Sequence, residues 1–250
     1  MKAPVLGAFS FPVYNNCMST VDDVKKDLQK VGTKKRAEAA LWFFKTGPGE
    51  YGEGDKFIGV TVPDQRKVAK KHPDLSLTAV QTLLNSPIHE HRLTALFILV
   101  AQFKKADEKM RKKIVDLYLK NYARVNNWDL VDSSAHYIIG QYLQDKPRNI
   151  LYTLARSNNL WKKRIAVIST FWFIKDDDFD DALKIAEILR DDEHDLIHKA
   201  VGWMLREVGN RNQVAEEKFL KKHYKKMPRT MLRYAIEKFD KSKKDLYMKK

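Results

Sequence analysis

From residue 76 onward, apolar residues return at intervals of three and four, the spacing that builds one face of an α-helix, and only short breaks separate the runs. The pattern predicts five antiparallel helix pairs: 76–85 with 88–104, 108–122 with 127–143, 148–156 with 159–175, 178–190 with 194–208, and 213–223 with 228–239. Pro87, Pro147, the Asp176-Asp177-Asp178 run and Asn210 to Asn212 occupy the breaks, as chain reversals require. Two-residue alternation is nearly absent, so the expected class is all-α. Upstream, Ser19 and Thr20 precede Asp22 and Asp23 at capping-box spacing, and Val21, Val24, Leu28 and Val31 continue as a helical stripe. Residues 47–63 carry Gly47, Gly49, Gly52, Gly54 and Gly59 and end on Pro63, which predicts a long loop between a helix ending near Lys45 and one starting near Pro63.

The predicted second helices repeat a motif, a basic residue followed closely by alanine: Arg92 with Ala95, Arg164 with Ala166, Lys199 with Ala200, Arg233 with Ala235. These basic positions lie 72, 35 and 34 residues apart, and Trp128 falls 36 after Arg92, where the missing step belongs. A helix pair recurring at this period is the signature of a HEAT-like or TPR-like solenoid. The expectation is therefore a HEAT-like α-solenoid over residues 18–244, with second helices lining a concave basic groove, followed by a basic tail at 245–250.

Charge adds a partner. Among 250 residues, 47 Lys and Arg outnumber 32 Asp and Glu, for a net charge of +15. Such a field draws polyanions, duplex nucleic acid first among them. No apolar run approaches the length of a membrane span. A single cysteine, Cys17, permits neither an internal disulfide nor a cysteine-based zinc site and suits a reducing compartment, so a cytoplasmic protein is expected, nucleoid-associated if the source is bacterial. Residues 1–17 lack a clear cleavage site and are expected to be a disordered, dispensable leader before a natural start at Met18.

Candidate chemistry is sparse. The glycine-rich stretch lacks the Gly-Lys-Ser/Thr ending of a phosphate loop, and His194 with His198 lacks the glutamate and third ligand of a zinc helix. His89, Glu90 and His91 have the character of a solvated first turn. No nucleophile elbow occurs. Neither metal nor cofactor is expected. The informative cluster is aromatic and acidic: Asn126-Asn127-Trp128-Asp129-Leu130-Val131-Asp132 opens a second helix, and a four-residue step places Trp128 and Asp132 on one face. Equivalent helices bring Arg164, Trp203 and Arg206 to the same side of a solenoid.

At these residues the sequence resembles the AlkD-like DNA alkylation-repair glycosylases. The resemblance spans residues 34–240 through Phe57-Ile58-Gly59-Val60 to Pro63 and Arg66, the Trp128–Asp132 segment, the helix around Arg164, and Ala200-Val201-Gly202-Trp203 to Glu207. It implies excision of N3- or N7-alkylated purines from duplex DNA by a monofunctional enzyme, expected to be a monomer, whose base need not be flipped into a pocket. Matched by motif, Trp128 and Trp203 take the aromatic positions against the lesion, Asp132 the catalytic carboxylate and Arg164 the lesion-strand phosphate contact. Arg206, Arg66 and Phe43 join them as DNA contacts, with Phe43 standing where the best-known member has a tyrosine.

An N3- or N7-alkylated purine is already cationic and leaves without a general acid. What remains is to stabilise cationic sugar, the work of a preorganised carboxylate. The alternatives are a noncatalytic HEAT-like module that binds nucleic acid or protein, in which Asp132 only caps or stacks helices, and a scaffold whose charge is merely solubilising.

Overall fold

The computed structural model describes residues 19–249 and is built from helices. In chain order these are α1 Val21–Val31, α2 Lys34–Phe43, α3 Val62–Lys71, α4 Leu77–Leu84, α5 His89–Lys105, α6 Glu108–Lys120, α7 Trp128–Asp132, α8 Asn149–Ala155, α9 Leu160–Ser169, α10 Phe171–Ile174, α11 Asp180–Leu189, α12 Asp195–Arg211, α13 Gln213–His223, α14 Arg229–Ala235 and α15 Lys241–Met248. Among the described residues, extended pairing is limited to one isolated bridge, Lys56 with Ile88. The chain is an all-α solenoid of helical repeats, and its five pairs follow the predicted ones closely. Residues 1–17, expected to be a leader, lie outside the described residues.

Local chemistry sets the ends. Thr20 and Asp23 close a full capping box on α1, and Ser76, Asp107, Asn127, Asn159 and Asn212 cap α4, α6, α7, α9 and α13 through side-chain oxygens. Each pair buries its facing stripes: Leu196, Ile197, Ala200, Val201, Met204, Leu205 and Val208 do so on α12. α2 is the exception, with no buried residue, and leaves Leu41, Trp42 and Phe43 exposed.

Two predicted second helices are interrupted. The 127–143 helix ends α7 at Asp132 and resumes as a π-helical turn, His136–Gly140, and the 159–175 helix bends at Thr170 between α9 and α10. A side-chain hydroxyl marks each break: Ser134 Oγ donates to the Leu130 carbonyl and Thr170 Oγ1 to that of Val167, bonds that compete with the helical ladder. At the end of the chain, residues 245–248 belong to α15 and bury Tyr247, so the tail drawn from 245 is helical for its first part.

Two of the four basic residues of the repeat motif, Arg92 and Arg164, fasten one repeat to the next. Arg92, 1% exposed, pairs with Asp55 at 2.7 Å and donates to the Arg124 carbonyl. Two pairs further on, Arg164 binds Asp132 at 2.7 Å and the Leu196 carbonyl in the same manner. The period that revealed the repeat is thus also the reach of an arginine to the next one.

Candidate functional site

The second helices converge on one cavity of about 600 Å³, whose lining includes Phe43, Trp128, Asp132, Arg164, Trp203 and Arg206. The first helical turn of α7 presents Trp128 and Asp132, α9 presents Arg164, and α12 presents Trp203 and Arg206. Lys45, Tyr51, Lys199 and Tyr234 also line it, together with His194, Asp195 and Leu196 at the start of α12, and sequence reasoning had not assigned them to the site. Arg66 is elsewhere. It is exposed and its guanidinium stacks over Phe97, 4.1 Å from the ring centre, so the cavity does not include it.

Both tryptophans are half-buried and fixed through their indole nitrogens. Trp203 Nε1 donates to Glu207 Oε1 at 2.8 Å, and the Trp128 indole has the Tyr51 hydroxyl as its hydrogen-bond neighbour. Phe44 stacks on Trp128, ring centres 5.6 Å apart, and exposed Phe43 meets the same indole edge-on at 5.8 Å. The hydroxyl that Phe43 lacks is present in the cavity on Tyr51 and Tyr234.

Asp132 does not stand free. Its two oxygens accept from Arg164 Nε at 2.8 Å and Nη2 at 2.7 Å. Burial pushes the carboxyl above the ordinary range, against the pull of Arg164. Arg164 is itself buried, with all three guanidinium nitrogens committed to protein oxygens, which makes it a holder of Asp132 in this structure rather than an open phosphate ligand. Arg206 is likewise engaged, by Glu207 and Glu237. Lys45 is exposed, and Lys199 is 40% exposed while paired with Asp195 at 2.7 Å. Lys45 holds a left-handed φ of 50° just beyond α2, a conformation costing a non-glycine residue about 1–2 kcal/mol, and its carbonyl is secured by the Gly52 N–H.

Beneath Trp128 lies a charge network that reverses one expectation. His89, Glu90 and His91 are buried rather than solvated, because the glycine-rich loop folds over the start of α5. Glu90 accepts from the backbone N–H groups of Ile58, Gly59 and Val60. His89 bridges Asp55 at 3.1 Å and Asp129 at 2.8 Å. Burial acts to lower the His89 pKa, but the two carboxylates outweigh it and raise it from 6.5 to about 9, leaving an imidazolium. Asp55, also contacted by Arg92, is held below its usual value despite burial. Among the described residues no cluster of His, Cys, Asp and Glu is suited to hold a metal ion, and no helix is long and apolar enough to cross a membrane.

A helical-repeat protein whose inner helices gather tryptophans, an acid and cations in one cavity is suited to a polyanion. Residues 24–239 match the family model described as DNA alkylation repair enzyme, and the chain belongs to that family. Membership gives it a role in DNA alkylation repair, with DNA as its substrate. Among solved structures, a protein described as a predicted DNA alkylation repair enzyme from Enterococcus faecalis has the same fold, with a TM-score of 0.63 over 84% of this chain and 97% of that one, at 16% identity. No curated protein matches the sequence.

Proposed function

We propose that this chain is a monofunctional DNA glycosylase that excises N3- and N7-alkylated purines from duplex DNA. The reading is carried by the gathering of Trp128, Trp203 and Asp132 in one cavity of a DNA alkylation repair family member. A cationic purine departs without protonation, so the barrier lies in the cationic character left on the sugar. Asp132, held by Arg164, is preorganised to face that charge. The indoles, fixed at their nitrogens, offer ring surface to a cationic nucleotide, worth about 0.5–2 kcal/mol each. Arg164 acts by orienting Asp132, and the accessible Lys45 and Lys199 supply phosphate contacts.

One observation favours the noncatalytic module: the two-pronged Arg164–Asp132 pair is also what a purely structural Asp132 would make. Single-turnover release of 7-methylguanine from alkylated duplex separates the two. Asp132→Asn should slow release by about 10²-fold or more. The same change leaves Arg164 buried without its counter-charge and destabilises the fold, so the double variant Asp132→Asn, Arg164→Gln, which removes both charges, recovers stability but not excision. Trp128→Ala and Trp203→Ala each lower the rate. Normal release by the stable double variant, or none by the wild type, assigns the protein to the binding module.

A further inference from the structure

The cavity that holds Trp128 and Asp132 takes a single residue from the glycine-rich loop, Tyr51. The loop is fastened on both sides of it. Gly47 N–H donates to Glu50 Oε2 at 2.8 Å, Gly49 N–H to Glu53 Oε2 at 2.9 Å, and Gly52 N–H to the Lys45 carbonyl at 3.0 Å. Further on, Asp55 is gripped by Arg92 and His89. A segment whose composition reads as a flexible connection is therefore a shelf that carries Tyr51 into the site.

The Tyr51 ring stands edge-on to buried Trp161 of α9, ring centres 6.3 Å apart and planes at 76°, and its hydroxyl neighbours the Trp128 indole of α7. It thus bridges the starts of two successive inner helices. An indole N–H can only donate, so the phenol oxygen is the acceptor in that pair, and its own O–H is left without an acceptor among the described residues. Burial raises the Tyr51 pKa above its ordinary value, which keeps that proton in place. The Lys199 ammonium, on the wall of the same cavity, interacts electrostatically with the phenol. A neutral donor beside a cation suits an anionic acceptor, and the anion that a DNA strand brings to a groove is its phosphate.

We propose that Tyr51 donates to a backbone phosphate of the strand bound at Trp128 while its oxygen holds the indole N–H, so that the glycine-rich loop sets strand and tryptophan in register with Asp132. The proposal rests on the glycosylase reading of this cavity. The contact is made to the backbone, needs no flipped base and reads no sequence. Because the phenol is neutral, it adds affinity without releasing a counterion.

The test crosses Tyr51→Phe, which keeps the ring against Trp161, with duplexes that carry a tetrahydrofuran abasic-site analogue and a single methylphosphonate in place of each flanking phosphate in turn. Fluorescence anisotropy reads Kd. Tyr51→Phe should weaken binding by about tenfold, the scale of one hydrogen bond to a charged group, and leave the salt slope unchanged. At one flanking position the methylphosphonate should weaken the wild type more than the variant, by about fivefold or more, because both changes act on the same bond. Unchanged affinity in Tyr51→Phe, or losses that multiply independently at every position, overturns the proposal. Slower excision by Tyr51→Phe does not rescue it, since a hydroxyl that only holds Trp128 couples to no phosphate. Release of 7-methylguanine is scored separately. Release without coupling defeats the Tyr51 contact and leaves the glycosylase standing, whereas coupling without release by the wild type keeps the contact and defeats the glycosylase.

Discussion

A histidine locked between two buried carboxylates titrates outside its usual range, and His89 between Asp55 and Asp129 is such a residue. Its folded pKa, about 9, lies above the ordinary 6.5, so the stability it contributes is complete below about 6.5 and is lost as pH rises through 9. Thermal unfolding of the wild type and His89→Gln should therefore differ most near pH 6–7, by about 3–5 kcal/mol for a broken buried pair, and the difference should shrink toward pH 10. A constant difference across that interval would show that His89 is neutral in the fold. The sequence displayed Trp128 and Asp132 plainly, because a four-residue helical step, with offsets of one repeat to Arg164 and two to Trp203, places them together. It hid His89, since three polar residues at a helix start look solvated until the loop above them is known. A signal was present: Asp55, His89 and Asp129 are separated by 34 and 40 residues, about one repeat each.

At the scale of the element, hydrophobic period located the helix pairs, but it did not show where second helices break or how closely they pack. Ser134 and Thr170 interrupt apolar runs that are otherwise continuous, so the breaks come from hydroxyls rather than from any change of pattern. Closeness is set by Gly140, facing Ser169 and Trp172, and by Gly202, facing Met231 and Tyr234. A Cβ on Gly202 would overlap the Met231 carbonyl oxygen and the Tyr234 Cβ, which α14 can relieve only by moving its backbone. In an open helix Gly→Ala would stabilise by roughly 0.5–1 kcal/mol. Here Gly202→Ala should instead cost about 1–3 kcal/mol, the range for an overpacked core, and lower the melting temperature by about 2–10 °C. Calorimetry that finds this variant as stable as the wild type would mean that α12 and α14 have slack between them. Because Trp203 is the next residue, the same displacement reaches the cavity wall, and packing and site are coupled at this point.

Across the whole molecule, the repeat explains both the position of the cavity and the fate of its arginines. Ion pairs spanning about one repeat recur along the chain, as in Arg148 with Asp178 and Asp181, Lys163 with Asp192, and Lys222 with Glu187. Arg92 and Arg164 are the buried members of this set, so a basic motif visible in the sequence is not in itself a nucleic-acid surface. The excess charge that meets DNA must come from cations not bound inward, and the cavity offers Lys45 and Lys199. Anisotropy titrations of undamaged duplex should show affinity falling steeply with salt: about five phosphate contacts lose roughly 500-fold between 50 and 200 mM. Lys45→Ala and Lys199→Ala should each reduce the log–log slope by about 1, the release of one counterion, with little dependence on sequence. Arg164→Gln should leave the slope unchanged, because its guanidinium is held by Asp132 and the Leu196 carbonyl. A slope reduced by Arg164→Gln but not by the lysine variants would show that DNA pulls Arg164 off Asp132 on binding, freeing the carboxylate only when substrate is present.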